Sequence, residues 1–137
     1  MKASEHRVVV LGASPKPTRY SNQAVRLLKA LGYPVVPVNP AFDIIEGLPA
    51  VARLDAVKGA VHTLTLYVSA ARLPAMAAEI IRLRPGRVIF NPGTESPLLQ
   101  RQLDDAGIDW IEACTLVMLR TGVFLEDQAP GHGPGGP

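Results

Sequence analysis

A loop of small and basic residues near the start of the chain has the composition of an anion-binding site. It begins at Gly12, directly after an apolar run at 8–11, and it contains Lys16 and Arg19. Residues 23–31 then carry apolar side chains at the spacing of one helix face. Backbone N–H groups of such a loop and the N-terminus of a helix attract phosphate groups, and the two basic side chains add full charges. These residues predict a site for a phosphorylated nucleotide.

The distribution of acidic residues narrows the class of nucleotide. No Asp or Glu lies between Glu5 and Asp43. An NAD site usually carries an acid at the end of the second strand, about 20 residues after its glycines. Here the second predicted strand ends at Asn39 and Pro40 without an acid, and Gly12 is the only glycine in the loop. A ribose phosphate is therefore tolerated, which favours coenzyme A or NADP over NAD.

Composition and length predict a globular protein without disulfides or a metal site. The chain has 137 residues, of which 47% are hydrophobic and 19% are charged, and its net charge is +2. Its one cysteine, Cys114, excludes an internal disulfide, and no residues have metal-ligand spacing. Nothing in the sequence predicts nucleic-acid binding, a membrane span or a signal peptide. We expect a cytoplasmic protein with a folded domain at 1–127 and a disordered Gly/Pro tail at 128–137.

Five predicted strands alternate with predicted helices along the chain. The strands are at 7–11, 33–38, 59–68, 87–90 and 108–111, and the helices are at 21–31, 49–54, 73–84 and 97–106. A last short helix or apolar segment follows at 113–120. Ser21 is the predicted N-cap of the first helix, and a Glu46-Gly47 turn is predicted within a loop at 41–48. The alternation predicts an α/β fold in which a doubly wound parallel sheet is covered on both faces. A ligand is then expected at the carboxyl ends of the strands.

Four short motifs at these strand ends occur together in a known family. They are Gly-Ala-Ser-x-Lys-Pro at 12–17, Arg-Tyr-Ser-Asn at 19–22, Pro-Val-Asn-Pro at 37–40 and Asn-Pro-Gly-Thr at 91–94. In this pattern the chain resembles the small stand-alone CoA-binding proteins of bacteria and archaea. Their Rossmann-like domain is similar to the nucleotide-binding domain of the succinyl-CoA synthetase α subunit. The resemblance covers about residues 6–124. It implies a five-stranded parallel sheet that binds coenzyme A chiefly through its 3′-phospho-ADP part.

The resemblance also implies a role for each strand end. The first loop would approach the phosphates by backbone and hydroxyl, its two basic side chains would pair with phosphate groups, and the helix start would line the site. The end of the second strand would border the ribose and adenine. The end of the third strand would flank the adenine or the start of the pantetheine arm, and the end of the fourth would lie across the crevice. The implied cofactor-binding residues are, in chain order, Gly12, Ala13, Ser14, Lys16, Arg19, Tyr20, Ser21, Asn22, Asn39, Pro40, Tyr67, Val68, Ser69, Asn91, Pro92 and Gly93.

Three further positions bear on the comparison with this family. Cys114 matches a cysteine that is common in the family, and a mixed disulfide with the thiol of coenzyme A is one role for it. Phe42 stands about where the synthetase has a lysine, so the phosphate contact of that lysine is not implied here. The synthetase also needs a phosphorylatable histidine in a later domain. This chain has only His6, His62 and His132, and we expect no later domain, so ligase activity is not implied.

Several functions stay open on these residues. Because no catalytic constellation is found, we expect a non-catalytic module that binds or senses coenzyme A or an acyl-CoA, with a homodimer as a reasonable assembly. One alternative is an enzyme, either a small NADP-dependent reductase or an acyl-CoA enzyme that uses Cys114. Another is a subunit that docks onto a larger CoA ligase.

Overall fold

The computed structural model describes residues 1–126, so the tail predicted at 128–137 lies outside the described residues. The strands are β1 (Val8–Leu11), β2 (Val35–Val38), β3 (Ile44–Ile45), β4 (Leu48–Pro49), β5 (Thr63–Leu66), β6 (Arg87–Phe90) and β7 (Asp109–Glu112). The α-helices are α1 (Tyr20–Ala30), α2 (Ala77–Leu83), α3 (Pro97–Ala106) and α4 (Thr115–Arg120). Short 3-10 helices span Ala3–Glu5, Leu54–Ala56 and Leu73–Met76.

The main sheet is parallel throughout, and its strand order is β2-β1-β5-β6-β7. The chain leaves β1 for β2 on one side and later returns to β5 on the other side. The predicted Rossmann-like α/β fold with five parallel strands is therefore confirmed. The carboxyl ends of β1 and β5 adjoin where the winding reverses, and open α/β sheets bind their ligands at such a point.

Alternation along β1 explains why both faces of the sheet are covered. Val8 and Val10 pack into the apolar cluster that includes residues of α1 and α4, whereas Val9 and Leu11 pack into the cluster that includes residues of α2 and α3. Each of the four is at most 2% exposed. Full burial of an apolar side chain of this size contributes about 1.5–3 kcal/mol. Strand β1 is therefore held from both faces, and its carboxyl end has a fixed position.

The second strand lies at the edge of the main sheet, which explains why it tolerates a proline. The carbonyl of Pro37 accepts a hydrogen bond from the N–H of Val51 at 3.0 Å, so the polar backbone of Pro37 points away from β1. The missing N–H of the proline therefore interrupts no bond to the neighbouring strand. The start predicted at 33 is too early, because the N–H of Tyr33 still closes the end of α1.

Predictions for the segment after β2 are partly wrong. The segment predicted as a loop at 41–48 contains an antiparallel hairpin of β3 and β4. Its predicted turn is confirmed, since Glu46 and Gly47 have φ values of 51° and 75°, the positive angles of a type I′ turn. The helix predicted at 49–54 is wrong, because Pro49 is held extended in β4 by its pairing with β3.

Helix starts also differ from the predictions. The N-cap prediction for Ser21 is wrong: α1 begins at Tyr20, Arg19 occupies the cap position, and no side chain caps this end within the described part of the chain. Ser21 is instead buried in the first turn. The helix predicted at 73–84 is divided into a 3-10 helix and α2. By contrast, α3 starts as predicted, with Ser96 Oγ accepting from a backbone N–H of the first turn at 3.2 Å.

Residues 1–126 contain neither a membrane-spanning helix nor a cluster of metal-ligating side chains. No helix among them is long and apolar enough to cross a membrane. No group of three or more His, Cys, Asp or Glu side chains among them is placed to hold a metal ion.

Candidate ligand-binding site

The loop after β1 passes unusually close to the end of β5. Gly12 has a φ of +86°, and a Cβ at this position would lie 2.7 Å from the carbonyl oxygen of Tyr67 and 3.1 Å from Cγ2 of Val68. Cβ atoms do not approach backbone atoms that closely, and a positive φ disfavours other residues. Because only glycine fits, the first loop and the end of β5 form adjacent walls of one crevice.

Hydrogen bonds from the end of β2 hold the backbone of this loop. The N–H groups of Gly12 and Ala13 both donate to the carbonyl of Val38, at 3.2 and 3.1 Å. Asn39 Nδ2 donates to the carbonyl of Ala13 at 2.8 Å, and Asn39 Oδ1 accepts from the N–H of Ala41 at 2.7 Å. Ala13 is fully buried. The side-chain amide of Asn39 therefore ties the loop after β1 to the end of β2.

Asn22 holds the same loop from the helix side. It is fully buried, and its Nδ2 donates to the carbonyl of Ser14 at 2.9 Å and to Glu46 Oε2 at 3.0 Å. Its Oδ1 accepts from Arg26 Nε at 2.8 Å. The side chain of Asn22 is thus used inside the protein. Glu46 belongs to the β3–β4 turn. Although the sequence has no acidic residue between Glu5 and Asp43, the fold therefore brings one acidic side chain next to this segment.

The two basic side chains of the first loop, Lys16 and Arg19, are available to bind a ligand. Two other cations, Arg26 and Lys29 of α1, each donate to a backbone carbonyl at 2.8 Å. In contrast, the side chains of Lys16 and Arg19 are exposed and make no hydrogen bond or ion pair with any residue from 1 to 126. The neighbouring end of α1 has no side-chain cap in this part of the chain, and its first N–H groups carry partial positive charge. Together they form a positive rim at the strand ends.

Asn91 ties the ends of β5 and β6 to the start of α4. It is 3% exposed, and its Nδ2 donates to Thr65 Oγ1 at 2.7 Å and to the carbonyl of Leu66 at 2.9 Å. Its Oδ1 accepts from the N–H of Thr115 at 2.9 Å, and the hydroxyls of Thr65 and Thr115 are 2.7 Å apart. Buried polar bonds of this kind fix the third wall of the crevice.

Two cavities open at these strand ends, and Tyr67 lines both of them. The β2-side cavity has a volume of about 380 Å³, and the β6-side cavity has a volume of about 300 Å³. The β2-side cavity is lined, among others, by Gly12, Asn39, Pro40, Val68, Arg72 and Glu79. The β6-side cavity is lined, besides Tyr67, by Tyr20, Asn91, Pro92, Cys114, Leu116 and Arg120.

The structure does not bring every predicted site residue to these cavities. Eight of the sixteen line neither of the two, namely Ala13, Ser14, Lys16, Arg19, Ser21, Asn22, Ser69 and Gly93. Of these, Ser69 and Gly93 are exposed. The N–H of Gly93 donates to Glu95 Oε1 at 2.9 Å. Ser14 is half-buried, and its Oγ accepts from the N–H of Lys16 at 3.1 Å, so this hydroxyl shapes the loop.

Sequence reasoning missed the cavity residues that come from helices and their flanks. Arg53, Arg72, Glu79, Leu116 and Arg120 belong to no recognised motif, yet all of them line one of the two cavities. Their placement depends on how helical segments pack over the strand ends. For Arg72 and Glu79, the one available signal was their position soon after the third predicted strand.

Tyr67, which lines both cavities, has a side chain whose pKa is shifted from its ordinary value. Burial raises the pKa of Tyr67 to about 12, while the nearby hydroxyls of Thr115 and Thr65 act in the opposite direction. The neutral form is therefore the form that the folded site accommodates.

We expect this phenol to make the folded state sensitive to alkali. In the unfolded chain Tyr67 ionises near its ordinary pKa of 10.0, whereas in the folded state it ionises near 12. Its contribution to the free energy of unfolding is therefore complete below pH 10 and is lost as the pH rises through 12. Chemical denaturation across this range should show a smaller alkaline loss for Tyr67→Phe than for the wild type. Tyr20→Phe, at a side chain that is 72% exposed, is the control, and an unchanged loss in Tyr67→Phe would refute the assignment.

We also expect Gly12→Ala to destabilise the protein more than Gly32→Ala. The two glycines have φ values of +86° and +89°, but a Cβ at Gly32 meets nothing within 4 Å. Gly32→Ala therefore measures the cost of left-handed backbone alone, about 1–2 kcal/mol. The clash with the Tyr67 carbonyl should add at least about 1 kcal/mol to Gly12→Ala. Equal losses in urea denaturation would contradict the close approach.

Comparisons with solved structures agree with this fold. A Thermus thermophilus structure, cell-free ID.343, is 32% identical and has a TM-score of 0.81 over 87% of this chain and 90% of that chain. A conserved hypothetical protein from Pyrococcus furiosus is 29% identical, with a TM-score of 0.76 over 82% of this chain and 97% of that chain. The dinucleotide-forming acetyl-coenzyme A synthetase 1 of Ca. Korarchaeum cryptofilum is 19% identical, with a TM-score of 0.69 over 82% of this chain and 26% of that chain. This last likeness shows the fold alone.

Sequence comparisons give the family. The uncharacterized protein YneT of Bacillus subtilis is 31% identical over 75 residues, which are 55% of this chain and 56% of that protein. The match therefore spans little more than half the length of this curated relative. The family described as the CoA binding domain matches residues 6–120. Since that match covers most of the chain, the protein belongs to the CoA binding domain family.

Proposed function

We propose that this protein binds coenzyme A or an acyl-CoA as a non-catalytic binding or sensor module. The phosphates would lie along the loop that contains Lys16 and Arg19. The observation that carries the proposal is the positive rim: two exposed cations without partners in residues 1–126, beside an uncapped helix end, at the winding reversal of the sheet. Charge-assisted bonds to phosphate are among the stronger interactions available to a binding site.

The two cavities match the two halves of such a ligand. The β2-side cavity adjoins Gly12 and Asn39 and would hold the phosphorylated adenosine, whereas the β6-side cavity contains Cys114 and would receive the pantetheine arm and its thiol. Tyr67 lines both cavities, so a ligand that passes from one to the other crosses this phenol. A compact nucleotide would use only one of them.

The placement of the histidines supports binding rather than catalysis. His6 and His62 precede β1 and β5, so they lie at the amino ends of the strands, opposite Cys114. No Cys–His pair is therefore formed among residues 1–126, and His132 lies outside the described residues. The amides of Asn22, Asn39 and Asn91 are likewise used to hold the walls. These facts weigh against an acyl-CoA enzyme that activates Cys114 with an imidazole.

Arg19→Ala should weaken coenzyme A binding by about 1.5–3 kcal/mol without lowering stability, because an exposed charge-assisted contact to phosphate is lost. Calorimetric titration should show this loss with coenzyme A and also with dephospho-CoA, since both contain the diphosphate. Arg101→Ala, at an exposed arginine of α3, is the matched control. Unchanged affinity in Arg19→Ala would remove the loop as the phosphate site, and tighter binding of NADP than of coenzyme A would move the function to redox chemistry.

Cys114 offers a chemical test of where the thiol arm lies. We expect its thiolate to attack CoA disulfide, so that one CoA becomes bound through a new S–S bond and the other leaves as a thiolate. Intact-mass measurement should show faster labelling by CoA disulfide than by cystamine, which lacks the nucleotide. Arg19→Ala should slow the first reaction and leave the second unchanged. Equal rates for the two disulfides in the wild type would contradict the placement of the arm.

A further inference from the structure

One residue that lines the β2-side cavity has a buried carboxylate oxygen with no partner. Glu79, on α2, lines this cavity, and its Oε1 is buried without a hydrogen bond. Buried acceptors are almost always paired in native proteins, because an unpaired one has lost its water without compensation. The only other such side-chain atom within residues 1–126 is Oε1 of Gln102, which is not among the residues that line this cavity. Glu79 therefore has an acceptor that the chain itself leaves unused.

The same cavity contains a cation that is free. Arg72 lines it and is exposed, and its side chain makes no hydrogen bond or ion pair with the part of the chain that is described. Arg53 also lines the cavity, but it is paired with Asp55 at 3.2 Å. Arg72 and Glu79 are not an ion pair with each other, since the ion pairs among the described residues are those of Asp55. Two residues that line this cavity thus have unused groups, a cation at Arg72 and an acceptor at Glu79.

We propose that Glu79 and Arg72 are specificity-determining residues for the nucleotide. Glu79 Oε1 accepts a hydrogen bond from the nucleoside, and Arg72 pairs with the phosphate on its ribose. A nucleoside that has both an N–H or O–H donor and a ribose phosphate can bind Glu79 and Arg72 at once. A ligand that has only one of these groups can bind only one of the two residues. This inference rests on the proposed function, because it assigns the cavity to the 3′-phosphoadenosine half of coenzyme A.

The donor has two sources with the same chemistry. In 3′-phosphoadenosine it is either the exocyclic amine of the base or the free 2′-hydroxyl of the ribose, and a carboxylate accepts from both. Analogues distinguish the two sources. The inosine form of adenosine 3′,5′-bisphosphate lacks the amine, and the 2′-deoxy form lacks the hydroxyl.

The first experiment titrates coenzyme A and adenosine 3′,5′-bisphosphate into the wild type, Glu79→Leu and Glu79→Gln. We expect Glu79→Leu to bind both ligands at least about tenfold more weakly, as for the loss of a hydrogen bond to a charged group. Glu79→Gln should lose less, because its amide oxygen still accepts. The melting temperature of ligand-free Glu79→Leu should fall little, since Oε1 has no hydrogen bond in the free protein and only the coulombic attraction to Arg82 is lost. Asp105→Asn, at an exposed acid of α3, controls for the change in net charge.

The two analogues then identify the donor. The analogue that lacks the group bound by Glu79 should bind to the wild type and to Glu79→Leu with equal affinity, whereas the other analogue should keep the tenfold difference. A tenfold difference that persists with both analogues would overturn the hydrogen bond from Glu79 to the nucleoside.

Arg72 is tested with the ribose phosphate itself. Arg72→Gln should weaken coenzyme A about tenfold or more and leave dephospho-CoA unchanged, whereas Arg19→Ala should weaken both ligands. Arg101→Gln is the matched control. Equal losses of coenzyme A and dephospho-CoA in Arg72→Gln would overturn the assignment of Arg72.

Failure of this inference is distinguishable from failure of the proposed function. If the wild type binds coenzyme A and Glu79→Leu binds it equally well, the specificity role is overturned and the binding function stands. If the wild type binds no coenzyme A, the proposed function fails, and this inference fails with it.

Discussion

The contact between the loop after β1 and the end of β5 is the constraint on which the site depends. It is possible only because residue 12 has no side chain: a Cβ there would lie 2.7 Å from the carbonyl oxygen of Tyr67. This contact brings the basic loop next to the wall formed by Tyr67 and Val68. Without it the loop would stand away from that wall, although the backbone pairing of β1 with β5 would still hold the two strands side by side.

Polar side chains at the strand ends form two sets, one buried and paired within the protein and the other exposed and unpaired. Asn22, Asn39 and Asn91 are paired inside the protein and hold the loop, the end of β2 and the start of α4. Lys16 and Arg19 are exposed and unpaired within residues 1–126. Burying an amide without a hydrogen bond costs free energy, whereas an exposed cation is hydrated by water. The buried amides are therefore paired within the protein, and the exposed cations remain available to an anion.

These two sets of side chains suggest which groups would give affinity for a phosphorylated ligand and which would give specificity. In the proposed binding mode, the cations of the first loop would attract any diphosphate, so they would supply affinity with little discrimination. Discrimination needs groups that are satisfied by one ligand and left unpaired by another. In the proposed binding mode, Glu79 and Arg72 would discriminate in this way at one end of the crevice, and Cys114 would lie near the thiol at the other.

The amino-acid sequence by itself determined the alternation of strands and helices, the parallel sheet, the basic loop at Gly12 and the family, because these follow from local periodicity and from motifs of adjacent residues. It did not determine that Pro49 lies in a hairpin, since pairing with β3 overrides the local preference for a helix start. It also did not reveal Glu46 beside Asn22, or Arg72 and Glu79 in the β2-side cavity. Those contacts join residues far apart in the chain, and only the packing of helices and a hairpin turn around the carboxyl end of the sheet brings them together.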